Sequence, residues 1–218
     1  PKPSSAASDV YKRQALRFVG MHDVNHSTAW LKMNKSKNLS QWLEALKMQE
    51  IASLNLVYAD KEDNIYFVHN VKSPIRNSNY DWKKVLPGND SSLIWTEFHP
   101  FENIPQILNP SSGYIFSTNQ NPFFVTANED NLLPENYNPT MGFQTRTTNR
   151  AYRAYELLDK DTSISFNEIS QYKHDNKFSY NSRQYRFMSE IFNHKFSDKK
   201  LINAQEFLAE WDLSLIHI

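Results

Sequence analysis

Apolar and polar positions alternate most regularly between Ala52 and Asn70, "ASLNLVYADKEDNIYFVHN". Leu54–Ala59 and Ile65–His69 are rich in β-branched and aromatic residues, which suit a pleated surface. The polar "DKEDN" between them predicts a β-hairpin, because Asp and Asn tolerate the positive φ that a tight turn needs. A period of two sets Asn55, Val57 and Ala59 on one face and Leu54, Leu56 and Tyr58 on the other. The first strand reads as buried, and a carboxamide there costs roughly 1–3 kcal/mol if it finds no partner. Asn55 therefore asks for an explanation. The plain one is a cap on a strand end or a bond to neighbouring backbone.

Around the hairpin the pattern changes. "ALRFVG" (residues 15–20) reads as a short strand. In "HDVNHSTAWLKMNKSKNLSQWLEALKMQ", Ala29 and Met33, then Leu39, Trp42, Leu43 and Leu46, recur at helical spacing, with Asn38 or Ser40 as N-cap. Residues 71–122 are dense in Pro, Asn, Ser and aromatics, and predict long ordered loops with short strands. Such a stretch is unusual unless it builds a site or packs on a larger body. Beyond Thr145 the spacing predicts helices over Arg150–Leu158, Ser165–Lys173, Arg183–Phe192 and Ala204–Trp211, with Ser163 and Asp198 as N-caps.

Composition narrows the function classes. The chain has 218 residues, with 24 Lys+Arg against 24 Asp+Glu, so nothing marks a nucleic-acid or polybasic membrane surface. No apolar run approaches the roughly eighteen residues of a membrane-spanning helix. The absence of cysteine excludes disulfides, thiolate nucleophiles and Cys-ligated metals, and is compatible with an oxidising compartment. Gly20, Gly88, Gly113 and Gly142 are too scattered for a phosphate loop or a nucleophile elbow. His22 and His26 have the spacing of a helical metal pair but lack a third ligand in register. His69 and His99 are isolated, and Asp159 and Asp161 lack the spacing of a calcium loop. No Ser/His/Asp set can be assembled, so these residues alone identify no enzyme.

The two ends read differently from the rest. "DVYKRQ" (residues 9–14) can be encoded by a stretch whose reverse complement translates as "LSLIHI" (residues 213–218). Two hexapeptides related by strand reversal resemble translated adapter sequence. Residues 1–14 and 213–218 are therefore expected to be non-native tails without tertiary contacts. Residues 15–212 are then an open-ended fragment whose strand edges should lie exposed.

One ordered set of motifs goes further. "NKSKNLSQWLEALKMQEIASLNLVYADKEDNIYFVHNVKSPIR" is followed by "PG", "PFENIPQILNPSSGYIFSTNQNP" and "TNRAYRAYELL". Each piece is weak and the order is specific: the run resembles the β subunit of the penicillin amidase family of N-terminal-nucleophile hydrolases. The resemblance implies an α/β (α+β) chain, a fragment of the four-layer αββα fold. Residues 15–143 would be its β-rich part with long loops, and residues 144–212 a helical segment. It implies cleavage of an N-acylated small molecule, such as an acyl-homoserine lactone or a β-lactam, by an N-terminal serine that this chain does not contain. Asn55, just before "YAD", matches the family's oxyanion donor, whose task is a reason to leave its amide without a permanent partner. Arg76 in "SPIR" matches the arginine that supports the active site. Asn109, Gly113, Asn119 and Asn121 match positions read as structural.

The resemblance also implies partners: the small-molecule N-acyl substrate, and the α subunit and remainder of the β subunit of the same precursor. It implies the periplasm, and neither nucleic acid nor membrane. No cofactor is expected; calcium is the one metal the family allows. The fragment alone is expected to be inactive. Two departures from the family pattern, Asp63 where glycine is common in the hairpin turn and Gln120 within "NQNP", are expected not to touch Asn55. The competing reading is a non-catalytic binding or scaffold module whose loops 71–122 form a recognition surface.

Overall fold

The computed structural model describes residues 15–21, 23–212 and 214. The elements are α1 (His26–Lys35), α2 (Leu39–Leu46), β1 (Ser53–Ala59), β2 (Ile65–Val71), β3 (Gln106–Leu108), α3 (Asn149–Leu158), α4 (Phe166–His174), α5 (Arg183–Asn193) and α6 (Lys199–Ala209). Among the described residues this is an α+β chain with one small sheet, in the order β1-β2-β3. Single turns of 3-10 helix punctuate the long loops between β2 and α3.

The hairpin forms as its pattern predicts. Asp60 organises the turn: its Oδ1 accepts from Glu62 N at 2.9 Å and Asn64 N at 3.1 Å, and its Oδ2 accepts from the Tyr58 hydroxyl at 2.9 Å. Asp63 takes φ +60°, so an aspartate holds the left-handed position where the family pattern has glycine. On the other side, β2 pairs antiparallel with β3 in the register Tyr66–Leu108, Phe67–Ile107 and Val68–Gln106. Tyr66, Phe67 and Val68 are all buried, as suits the middle strand of three.

Two expectations about strands fail. β1 contains no buried residue: Leu54 is 44% and Val57 48% exposed, one from each face. Among the described residues it is an edge strand with a neighbour on one side only. "ALRFVG" forms no strand; residues 15–18 are irregular and Leu16 is 82% exposed. Backbone N–H and C=O groups need partners to make a strand, and no described strand pairs with this segment.

The chain divides into two compact units that interleave in sequence: Pro1–Leu54, His69–Ile104 and Glu135–Phe143 form the first, and Asn55–Val68, Pro105–Pro134 and Gln144–Ile218 the second. In the first, α1 packs on α2, with Ala29, Met33, Trp42, Ala45 and Leu46 buried. Asn38, one of the two expected caps, accepts from Gln41 N at 3.0 Å and starts α2. In the second, Phe67, Ile107 and Val125 form one buried cluster, joined by Ile115 and Leu132. Phe116, Ala151 and Leu158 form another, joined by Tyr114, Phe124, Ala154, Tyr155 and Tyr172.

The four C-terminal helices lie in the second unit, and their starts show which polar residues act as caps. Asp198 caps α6 as expected, although the helix begins at Lys199 rather than near Ala204. Ser163 does not cap α4. Ser165 does, because Glu168 three residues on closes a reciprocal capping box that Ser163 cannot form. Within the tails, Val10, Tyr11 and Leu215 lie outside the described residues. Ser214 does make contacts: it forms an antiparallel bridge with Lys177, and its carbonyl accepts from Trp211 Nε1 at 2.8 Å.

Arg153 of α3 holds Asp175 at the end of α4 through two parallel bonds, Nε to Oδ1 at 2.8 Å and Nη2 to Oδ2 at 2.7 Å. Both side chains are less than a fifth exposed. The Arg153 bonds, against the opposing effect of burial, hold the Asp175 carboxyl below its ordinary value. A carboxyl depressed in the folded state contributes stability above its unfolded pKa and loses it as pH falls through the folded one. The melting temperature should therefore fall on acidification from about pH 5 downward. Asp175→Asn should cost about 1.5–3 kcal/mol at neutral pH and flatten that acid dependence, as thermal melts across the pH range will check.

Candidate functional site

Asn55 and Arg76 belong to different units, Asn55 to the second and Arg76 to the first. Asn55 is half-buried on β1, and its Nδ2 donates to the main-chain oxygen of Gln120 at 2.9 Å. Gln120 is buried, and its own side chain is used in full. Nε2 donates to Phe116 O at 3.1 Å and Phe124 O at 2.9 Å, while Oε1 accepts from Thr118 Oγ1 at 3.1 Å and from Thr118 N. On one side of it, Asn119 takes φ +64° and accepts from Arg150 Nη2 at 3.2 Å. On the other, Asn121 donates to Thr145 O and Thr147 Oγ1, both at 3.3 Å, and accepts from Phe123 N at 2.9 Å. The carbonyl that meets Asn55 is thus held from both directions.

Two expectations change here. Asn55 has a standing partner rather than an amide kept without one. Gln120, expected to be remote from Asn55, is that partner. The structural reading of the other motif residues holds. Asn109 takes φ +48° and accepts from Ile65 N at 2.8 Å, and Gly113 takes φ +75°.

Arg76 follows β2 in a loop tied down by Ile75 N to Glu97 O at 2.9 Å. Its Nη1 donates to Thr140 O at 3.1 Å, and its guanidinium lies over the Trp82 ring, 5.4 Å from the centroid. Nε is buried without a hydrogen-bond partner, and no described carboxylate pairs with the group. Burial pulls its pKa down, yet a guanidinium stays charged. The result is a partly desolvated cation held by a carbonyl and an aromatic face. Gly142 leaves room for the guanidinium. It takes φ +73°, and a Cβ there would stand 3.3 Å from Arg76 Nη1.

The remaining candidates have local roles. His69 packs edge-on against Phe143, with 5.4 Å between centroids, and burial lowers its pKa. His99 Nε2 is buried without a partner. His26 Nε2 accepts from Trp30 Nε1 at 3.0 Å, and His22 lies outside the described residues. Asp161 accepts from the Tyr172 hydroxyl at 2.7 Å and from Ser163 N at 2.9 Å. Among the described residues no three His, Asp or Glu side chains converge as a metal-binding group.

Comparison with known proteins gives this geometry a family. The family model for penicillin amidase matches residues 5–216. The chain belongs to the penicillin amidase family. Penicillin G acylase of Escherichia coli is 36% identical over 94 residues, which is 43% of this chain and 11% of that protein. A thermostable penicillin G acylase from Alcaligenes faecalis superposes with a TM-score of 0.65 at 23% identity, over 88% of this chain and 33% of that one. The chain thus spans a minor part of the length of both relatives. At that identity, the solved penicillin G acylase shows a shared fold.

Within this penicillin amidase chain, sequence reasoning missed Gln120 and Gly142. The signal for Gly142 was its scarcity, since only four glycines occur. Gln120 stood out as a departure within "NQNP", but its residue type did not point to Asn55, because the two meet through a main-chain atom. Gly142→Ala should lower stability by about 1–2 kcal/mol from the left-handed backbone alone. It should also displace Arg76 from Thr140, which a crystal structure of the variant will show. Gln120→Ala would strand Phe116 O and Phe124 O, at about 1–3 kcal/mol. With it, the side-chain amide resonances of Asn55 in the 15N–1H spectrum should shift and broaden; unchanged resonances would mean that Asn55 is held without Gln120.

Proposed function

We propose that this chain carries the oxyanion-stabilising strand of an amidohydrolase that removes the acyl group from an N-acylated small molecule. The observation that supports this reading is the Asn55 carboxamide, fixed on β1 by its bond to Gln120 O. An asparagine amide is planar and carries two N–H groups. Once one direction is set by a rigid carbonyl, the other is set as well. A donor whose direction is fixed before substrate arrives costs no reorganisation when negative charge develops.

In this reading the hydroxyl of an N-terminal serine, from outside these 218 residues, attacks the amide carbon, and its α-amino group takes the proton. Asn55 and a main-chain N–H hold the oxyanion. The proton passes to the leaving amine, and water then releases the acid from the serine ester. Arg76, by its match to the family pattern, would take the supporting role that the resemblance implies, as a fixed and partly desolvated cation. The whole protein would be an N-terminal-nucleophile hydrolase of four-layer αββα architecture, processed from an exported precursor into α and β subunits. Its substrates would be acyl-homoserine lactones or β-lactam amides.

The test uses the full-length protein that contains this chain. Asn55→Ala should lower kcat by about 10²–10³ while KM changes little, because the donor acts mainly in the transition state. Thermal melts run alongside separate this from misfolding. Near-normal kcat with reduced stability would remove Asn55 from the mechanism. No turnover of any N-acyl amide by the unaltered full-length protein would favour a binding module instead.

A further inference from the structure

The second unit holds a cleft of about 710 Å³ between α3, α4 and the loops 116–119 and 175–177. Its size falls within the range of small-molecule sites. On α3, Arg150, Ala154 and Leu157 line it at helical spacing; on α4, Phe166, Ile169 and Lys173 do the same. Residues 159–165 link the end of α3 to the start of α4, where Ser165 is the cap. The Arg153–Asp175 pair ties the first half of α3 to the end of α4, so the chain turns back after α3 and the end of α4 lies beside the first half of α3.

This return gives the cleft two unlike ends. Leu157 and Leu158 close α3 where Phe166 opens α4, so that end is apolar. Arg150 opens α3 where Lys173 and Lys177 mark the far end of α4, so that end is cationic. The nearby charges are mostly answered. Arg153 binds Asp175 and Glu156, Asp161 accepts from Tyr172, and Asp212 lies in the field of Lys177. Arg150 is bonded to the neutral Asn119, and no described carboxylate forms an ion pair with Arg150 or Lys173. Phe166, 87% exposed, leaves apolar surface at the other end.

We infer that this cleft binds a medium-chain aliphatic carboxylate, its head group between Arg150 and Lys173 and its tail along Ala154, Leu157 and Ile169 towards Phe166. Arg150 and Leu157 are separated by about 10 Å of helix, which sets the length of tail that fits. The inference does not depend on the role proposed for Asn55.

Calorimetric titration of the full 218-residue chain tests it with three probes: octanoate, octanol with the same tail and no charge, and acetate with the head alone. Octanoate should bind saturably and more tightly than either. Arg150→Gln combined with Lys173→Gln should weaken octanoate by about tenfold or more and leave octanol unchanged. Ser170→Phe, on the cleft wall, should abolish octanoate binding, with melting curves confirming that each variant folds. Equal binding of octanol and octanoate, octanoate binding indifferent to the charge variants, or no saturable binding would each overturn the inference.

Discussion

A buried carboxamide has to satisfy two donors and two acceptor positions at once, and at Gln120 this requirement shapes the second unit. The side chain meets it by bonding Phe116 O, Phe124 O and Thr118, which draws residues 116–124 into a closed loop. The loop does two things. It turns the Gln120 carbonyl onto Asn55, and it brings Phe116 and Phe124 into the aromatic cluster with Ala151, Tyr155 and Leu158. One polar residue therefore joins the orientation of a candidate catalytic amide to the seating of α3. Leaving any of those carbonyls buried without a donor costs more than the bond itself contributes, so the loop has little freedom to open partway.

Arg76 in the first unit obeys the opposite rule. Its charge is surrounded by a carbonyl, an aromatic face and the backbone of Gly142 rather than by a carboxylate. Pairing it with Asp or Glu would neutralise its field. A partial negative charge and a ring quadrupole hold the group while leaving its positive charge largely uncompensated. That is useful where a cation has to act on a polar ligand, and it carries the cost of desolvation that lowers its pKa.

Local rules made much of the chain legible. The hairpin, the positive φ at Asp63 and Gly113, and the Asn38 and Asp198 caps follow from residue types within a few positions of one another. What failed depended on neighbours distant in sequence. "ALRFVG" has the composition of a strand, but strands need a partner. β1 has the pattern of a buried strand, but its place at the sheet edge leaves Leu54 and Val57 exposed. Ser163 and Ser165 are alike in type, and Glu168 decides between them.

The Asn55 site shows why the remaining gap is physical. Its partner 65 residues away is a main-chain oxygen, an atom that every residue carries. No residue type at position 120 announces such a contact. What residue type does control is whether the carbonyl stays where it is, and this falls to the glutamine side chain, which never touches Asn55 through its own polar atoms in the bonds described. A glutamine in place of a shorter asparagine spans from Phe116 O to Phe124 O across the loop. The site requires both the reach of that side chain and the two donors of its amide.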